Sequence, residues 1–369
     1  MKANSLFITF AFLLLTVDAF SLPRFALRSG GQCIDCHVNP TGGQMRSESG
    51  WSYGKSNLSM FRSSDEETEL SPMLNENISF GFDIRTQFLA KFDSASSRSD
   101  FQNMNSSFYA GTYLSDKINL FARYDLTHGF YEGFATAHIL PNNSYVKVGT
   151  FLPNYGLRVD DHTAYTRGGV FDASSGSFKG WPFAPNYSET GIEVGVYISD
   201  FAFVTISSGT PAGTRFVKDP SYTASVSFTP QISDNFSLLA GGSFAQWKKG
   251  FSAPFTNINS FSGFGGFSFA GFSLLGEFAK ADNMFFQDSA ASALMIEASY
   301  KITKGLEATI RYDQLSPVTD NSDASVSSLI LGVEFFPYSF VELRPQYRIN
   351  TEKPAYDNNM FVLQFHIWY

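Results

Sequence analysis

The sequence predicts an all-β protein, an antiparallel β-barrel of about sixteen strands of the kind found in bacterial outer membranes. Only 16% of its 369 residues are charged, and it contains 40 Phe, 17 Tyr and 30 Gly. Apolar and polar residues alternate in segments from residue 78 to the end, which is the period of strands with two different faces. Short and long connections alternate between these segments, as they do in such barrels.

The N-terminal residues predict a cleaved export signal. Lys2 is followed by an apolar run from Leu6 to Leu15, and Ala19 is a small residue at the predicted cleavage site. The run is too short to favour the alternative, a retained membrane helix. We therefore expect residues 1–19 to direct the chain out of the cytoplasm.

The segment Cys33-Ile34-Asp35-Cys36-His37 is a C-x-x-C-H motif, the attachment sequence of c-type haem. The two thiols would form thioethers with the haem vinyl groups, and the adjacent histidine would be the proximal iron ligand. Since the chain has 2 cysteines and both lie here, the motif predicts one covalent haem c. The alternative is a disulfide or dithiol pair beside an unrelated histidine.

The N-terminal segment that contains this motif, residues 20–75, is polar and irregular, with turn signals such as Pro40-Thr41-Gly42-Gly43. About fifty-five residues are few for an independent hydrophobic core. We expect this segment to need a wall to pack against and to fold into the lumen of the barrel as a plug.

The predicted barrel, residues 76–369, shows one apolar and one polar face in each strand. In the first strand, Ile78 and Phe80 alternate with Ser79 and Gly81. A soluble β-sandwich would also alternate, but its apolar faces would point inward. An even number of strands would place both ends of the barrel on the periplasmic side.

Two features of the later chain bear on the barrel. The last segment, from Phe361 to Tyr369, is amphipathic and ends on an aromatic residue, and it resembles the signal recognised by the outer-membrane assembly machinery. The longest predicted loop, 153–188, follows the fifth strand and is expected to fold inward. Pro345 within the fifteenth strand is a mild conflict, because proline donates no hydrogen bond to a sheet.

The polar faces of the strands carry charges that we expect to line a wet lumen and to pair with the plug. A net charge of −8 gives no reason to expect a nucleic acid partner. The predicted lumen-facing charged residues are Asp83, Arg85, Arg123, Asp125, Glu193, Arg311, Asp313, Glu342, Arg344 and Arg348.

The sixth ligand of a haem iron stays open at this stage. Methionine in that position would raise the redox potential relative to a second histidine. Asp160 and Asp161 beside His162 also form a candidate metal site, and a solvated loop is the alternative. The candidate distal ligands are Met45, His138, His162 and His366, with Met60 and Met73 also within reach of a flexible segment.

A longer pattern surrounds the cysteines. Its residues are Pro23, Phe25, Ala26, Gly30, Cys33, Cys36 and His37. This pattern resembles the entry motif of fused monohaem cytochrome–porins, outer-membrane proteins implicated in iron(II) oxidation. The family has proline, any residue, Phe-Ala-Arg, any residue, Thr-Gly and two residues before C-x-x-C-H. Here Ser29 replaces the threonine, and Leu27 takes the place of the arginine, with Arg28 one position later.

The motif and the barrel together predict single-electron transfer between the cell exterior and periplasmic c-type cytochromes. The resemblance implies extracellular Fe(II) as a donor and an Fe(II)-oxidising activity. Two alternatives stay open: a diffusion porin in which the haem segment is a plug or sensor, and a soluble periplasmic cytochrome built on a β-sandwich.

Overall fold

The fold is described from a computed structural model of the chain. The described residues are 23–43, 45–61, 71–93, 97–169, 180–212, 219–249, 256–321, 325–352 and 358–369. The predicted export signal, residues 1–19, lies outside them. Within the described ranges, no helix combines the length and the apolar character needed to cross a membrane.

Short helical elements form the first part of the described chain. Helix α1 ends at Gly30, whose φ of +66° is readily adopted by glycine. Ser47 caps helix α2 because its side chain accepts a hydrogen bond from the Gly50 amide. The elements are α1 (Pro23–Ser29), a 3-10 turn (Cys33–Asp35), α2 (Glu48–Tyr53) and a π-helical turn (Gly54–Leu58).

Strands make up most of the remaining described residues. The first nine are β1 (Ile78–Asp93), β2 (Arg98–Ser115), β3 (Ile118–Asp125), β4 (Phe130–Ala137), β5 (Tyr145–Phe151), β6 (Glu189–Ser199), β7 (Ala202–Pro211), β8 (Ser221–Phe228) and β9 (Gln231–Ser233). They are followed by β10 (Phe236–Lys249), β11 (Thr256–Phe269), β12 (Phe272–Asp282), β13 (Ala290–Thr303), β14 (Leu306–Ser316), β15 (Val326–Phe335), β16 (Val341–Thr351) and β17 (Asn358–Trp368). A 3-10 turn, Tyr165–Arg167, lies in the connection between β5 and β6.

The strands form one closed antiparallel barrel. Neighbours in the chain pair with each other, and β1 pairs with both β2 and β17, which closes the sheet. The short β9 and the longer β8 both pair with β10, so they occupy one position in the wall. The described barrel therefore has 16 strands, and the predicted count is confirmed.

The polar faces of the strands point into the lumen and the apolar faces point outward. In β6, Ile192 is 47% exposed and the adjacent Glu193 is 1% exposed. In β14, Ile310 is 46% exposed and Arg311 is 3% exposed. A soluble sandwich would show the opposite arrangement, so that alternative is wrong. An outward apolar band around a polar interior is the arrangement of barrels that sit in lipid.

The connections follow the predicted alternation, with one correction. Tight turns occur at the rim that holds both barrel ends, where Asn142 and Asn143 adopt φ of +55° and +59°. The predicted long connection 93–103 is wrong, because β1 and β2 pair as far as Lys91 with Arg98. Strand β2 therefore extends beyond β3, which pairs with it only from Ser107 onward.

Pro345 is accommodated at a gap in the sheet. Between β15 and β16, Gly332 pairs with Gln346, and the next pair joins Phe335 to Leu343. The ladder is thus interrupted at the position of the proline. A residue without an amide hydrogen is tolerated at such an irregularity, which resolves the conflict seen in the sequence.

The connection between β5 and β6, called the lumen loop here and described over residues 152–169 and 180–188, folds inward as predicted. Tyr155 and Trp181 both hydrogen-bond the Ser260 hydroxyl on β11, at 2.6 and 2.7 Å. Their aromatic rings belong to a buried apolar cluster against β10 to β14. The loop is therefore packed on the inner wall of the barrel.

Candidate functional site

The N-terminal segment, called the plug here and described over residues 23–43 and 45–61, is held to the inner wall by ion pairs. Arg24 pairs with Glu334 on β15, and its Nη1 lies 3.2 Å from Oε1 of Glu297 on β13. Arg28 donates to Glu307 on β14. These side chains are almost completely buried, so the contacts have little competition from water.

The acidic partners of the plug differ from those predicted. Three of the lumen-facing arginines predicted to pair with it, Arg85, Arg311 and Arg348, bind the lumen loop instead. Arg311 Nη1 lies 2.7 Å from Asp161 Oδ2, and Arg85 donates to the Asp160 carbonyl at 2.8 Å. Arg348 donates to the Thr163 hydroxyl at 3.0 Å.

The sequence does not predict that these three acidic residues bind the plug. Glu297, Glu307 and Glu334 stand at inward positions of their strands, but alternation assigns only a face. It does not say which arginine a carboxylate on that face will meet. In the sequence, each of these residues is recognisable only as a carboxylate at an inward position of a strand.

The C-x-x-C-H motif forms a compact turn inside the barrel. The amides of Cys36 and His37 both donate to the Cys33 carbonyl, at 3.2 and 3.0 Å. Helix α2 packs on this turn so closely that a Cβ at Gly50 would lie 2.1 Å from the Cys36 carbonyl oxygen. His37 forms a β-bridge with Arg46. The motif is therefore fixed between two parts of the plug.

The two thiols are not joined in a disulfide, and Cys36 is buried whereas Cys33 is half-buried. Both cysteines are free, and burial raises the pKa of Cys33 to about 11 and that of Cys36 to about 12. Reactive C-x-x-C pairs have a lowered thiol pKa instead. The pKa of each thiol is thus shifted in the direction opposite to that of a reactive pair.

Two cavities adjoin the motif. His37 lines a lumen cavity that has Phe25 and Trp368 among its apolar neighbours. Cys33 lines a second cavity beside Arg158 of the lumen loop. The motif therefore borders empty space on its His37 side and on its Cys33 side.

The residues around these cavities fit a c-type haem. Two thiols and an imidazole on one turn are the covalent and axial groups that haem c requires. The larger cavity combines apolar rings with guanidinium groups. There, the buried nitrogens Nε of Arg24 and Nε1 of Trp368 make no hydrogen bond to any described residue. This donor set suits a flat apolar ring with carboxylate arms.

His366 is the candidate distal ligand that lines the same described cavity as His37. Its Nδ1 lies 2.8 Å from Oε2 of Glu342, and its Nε2 lies 3.1 Å from Oδ2 of Asp83. Both ring nitrogens are thus engaged with carboxylates. Ligation of an iron by His366 would require one of these bonds to break.

The other distal candidates lie in different surroundings. Met45 is buried in an apolar cluster with Tyr109 and Phe121. His138 lies in the connection between β4 and β5, where its Nδ1 is 2.9 Å from the Asn143 carbonyl. The identity of the distal ligand stays open among these residues and His162, Met60 and Met73.

His162 lies in the lumen loop, and its buried Nε2 has no hydrogen bond within the part of the chain that the structure describes. The adjacent candidate metal site is not assembled, because the Asp161 carboxylate bonds Arg311 and Thr163. In the described ranges, no cluster of three or more His, Cys, Asp or Glu side chains has the geometry to hold a metal ion. Met60 and Met73 lie nearer the rim of the barrel. There, the backbone amide of Met60 donates a hydrogen bond to the Phe336 carbonyl.

Comparisons with known proteins identify the fold. No family model and no curated protein matches the chain. OprB of Pseudomonas putida matches with a TM-score of 0.63 and 11% identity, over 85% of this chain and 99% of that chain. DcaP, an outer membrane channel of Acinetobacter baumannii, matches with a TM-score of 0.60 and 11% identity, over 81% of this chain and 100% of that chain.

A third solved structure, OmpF of Salmonella typhi in complex with daunomycin, has a TM-score of 0.57 and 10% identity. It covers 79% of this chain and 98% of its own. At these identities the likeness concerns the fold alone. The chain is thus a porin-like barrel of the outer-membrane type, as the sequence predicted.

Proposed function

We propose that the protein carries one covalent haem c in the lumen of an outer-membrane barrel and transfers single electrons between the cell exterior and periplasmic c-type cytochromes. The observation that carries the proposal is the placement of the C-x-x-C-H turn inside the barrel, where Cys36 and His37 are buried and His37 lines the lumen cavity. A bound haem supplies reversible one-electron chemistry.

Each group of residues in and around the motif has its own role in this proposal. Cys33 and Cys36 would hold the porphyrin covalently, and His37 would ligate its iron. The ion pairs of Arg24 and Arg28 keep the plug on the wall. Since the apolar band of such a barrel is about 25 Å tall, a redox group inside the lumen shortens the distance that an electron must cross.

The decisive experiment measures haem attachment. The full chain is exported in a host with c-type haem maturation, purified from the outer membrane, and examined as its pyridine haemochrome. We expect a c-type band, and we expect Cys33→Ser with Cys36→Ser to abolish it while the barrel remains in the membrane. A colourless wild-type protein would refute the proposal.

Iron(II) as the extracellular donor rests on the family resemblance. Stopped-flow mixing of the oxidised protein with Fe(II) tests it, and we expect rapid reduction of the haem. If the protein carries haem but stays oxidised, another donor or acceptor is required. The electron-transfer proposal would then stand without the iron.

A second candidate is a diffusion porin whose plug has a structural or sensory role. The likeness of the barrel to solved porins and channels, DcaP among them, favours this candidate more directly than the first. The plug and the lumen loop both occupy the interior, which restricts free passage. Planar bilayer recordings separate the two: large, solute-selective conductance supports the porin, and a sealed lumen supports the electron carrier.

A further inference from the structure

One arginine on the lumen cavity differs from the others. Arg24, Arg85, Arg311 and Arg344 each bond a carboxylate of the protein. Within the described residues, Arg46 has no hydrogen-bonded carboxylate. The arginines that line the cavity are Arg24, Arg46, Arg85, Arg311 and Arg344.

Asp83 and Glu342, two acidic residues on the same cavity, bond other partners. Asp83 accepts from Arg85 at 3.1 Å and from Asn105 at 2.7 Å, and its second oxygen also contacts His366. Glu342 is engaged by His366. Among the described residues, the Arg46 guanidinium therefore faces the cavity without an ion pair of its own.

The position of Arg46 is fixed by two contacts. Its backbone forms a β-bridge with His37, so both side chains extend from paired positions of the plug. Its guanidinium carbon lies 4.8 Å from the ring centre of Trp368 on β17, an arrangement that is typical of a cation–π contact. The stack holds the planar group beside the cavity that His37 lines.

A guanidinium inside a protein is stable when its fork of N–H donors meets a planar oxyanion. We propose that Arg46 binds a carboxylate of the porphyrin tethered at Cys33 and Cys36 and so positions it relative to His37. This inference rests on the proposed function. It assigns Arg46 as a positioning residue, whereas a purely structural Arg46 would serve only to cover the Trp368 ring.

The test uses the full, haem-loaded protein and two spectroscopic readouts. Resonance Raman spectra report hydrogen bonding at the porphyrin carboxylates, and redox titration gives the midpoint potential. We expect Arg46→Gln to shift the carboxylate bands and to lower the potential, because a positive charge near the iron is lost. Arg46→Lys should keep much of the potential but shift the bands, since lysine lacks the planar fork.

The matched control is Arg123→Gln, which removes the same charge from a lumen arginine paired with Glu132, outside the lining of this cavity. We expect the bands of the porphyrin carboxylates in Arg123→Gln to match those of the wild type. Wild-type bands in both Arg46 variants would overturn the inference while leaving the haem, and the proposed function, intact. If Arg46→Gln does not fold, the bands of Arg46→Lys decide. Absence of haem from the wild type would instead refute the proposed function.

Discussion

Arg28 donates a hydrogen bond from Nη1 to Oε1 of Glu307 at 2.6 Å, joining helix α1 of the plug to strand β14. Glu307 Oε2 also lies 3.8 Å from Nε of Arg24. One buried carboxylate therefore serves both arginines of α1. The contact explains how a seven-residue helix, too short to be stable alone, keeps a defined place in the lumen.

The first prediction concerns retention of the plug. Glu307→Gln removes the charge that both arginines share, and breaking a buried ion pair costs about 3–5 kcal/mol. We expect the plug to leave the wall more often, so that ionic conductance in planar bilayers rises. Asp116→Asn, in the exposed β2–β3 turn, should leave the conductance as it is. Equal conductance of Glu307→Gln and the wild type would contradict this role of Glu307.

The second prediction concerns the lumen loop. Gly156 and Gly129 both have φ of +62°, but a Cβ at Gly156 would lie 1.9 Å from Oε1 of Glu277, whereas a Cβ at Gly129 meets nothing within 4 Å. Glu277 is buried and bonds Arg167 and the Leu157 amide. Gly156→Ala must therefore either break these bonds by displacing the Glu277 carboxylate or move the loop away from the wall.

Each alanine pays the cost of a left-handed backbone, about 1–3 kcal/mol, and only Gly156→Ala adds the clash. We expect a larger fall in the unfolding temperature for Gly156→Ala than for Gly129→Ala, measured by heat-dependent mobility on gels. The same fall in both variants would mean that the loop is not seated against Glu277.

The third prediction concerns the packing of helix α2 on the motif. A Cβ at Gly50 would lie 2.1 Å from the Cys36 carbonyl oxygen, and one at Gly54 would lie 3.4 Å from Trp368 Nε1. Alanine normally stabilises a helix relative to glycine by about 0.5–1 kcal/mol. Gly54→Ala should therefore be tolerated, whereas Gly50→Ala should separate the helix from the motif.

The measurement is the ratio of covalent haem to protein in the membrane fraction. We expect a clear fall for Gly50→Ala and a value close to that of the wild type for Gly54→Ala. A full complement of haem in Gly50→Ala would show that attachment does not depend on this packing.

The fourth prediction concerns the lipid-facing surface. Ile296 lies in the middle of β13 and is 41% exposed on the outward face. Arginine at the midplane of a membrane barrel costs about 2–4 kcal/mol, so Ile296→Arg should lower the free energy of unfolding measured in lipid vesicles by that amount. Phe286→Arg, in the exposed β12–β13 connection, should have little effect. Equal losses would place Ile296 outside the apolar band.

The alternation of apolar and polar residues predicted much of the barrel, because successive side chains of a strand point to opposite faces of the sheet. The alternation at Ile192 and Glu193 and at Ile310 and Arg311 sufficed to assign outward and inward positions, and the structure has them so. The inward folding of the loop 153–188 was also predicted. Its extent was visible in the chain because no alternating segment interrupts it.

The pairing of charges was outside the reach of such patterns. Arg24 and Glu297 are 273 positions apart in the chain, and their contact depends on barrel closure and on the register of every intervening strand. From the sequence, Asp83, Arg85 and Arg311 are equally good predicted partners for the plug. In the structure, Arg85 and Arg311 bind the lumen loop instead, because residues 160–163 of the loop face β1 and β14.

By itself the sequence determined an all-β barrel of about sixteen strands and the C-x-x-C-H motif at Cys33, Cys36 and His37, since both depend on short-range spacing. Only the tertiary structure decided that the motif lies inside the barrel, with His37 and Arg46 on one cavity and His366 held between two carboxylates. The physical reason is that burial and ion pairing depend on which distant segments meet when the sheet closes.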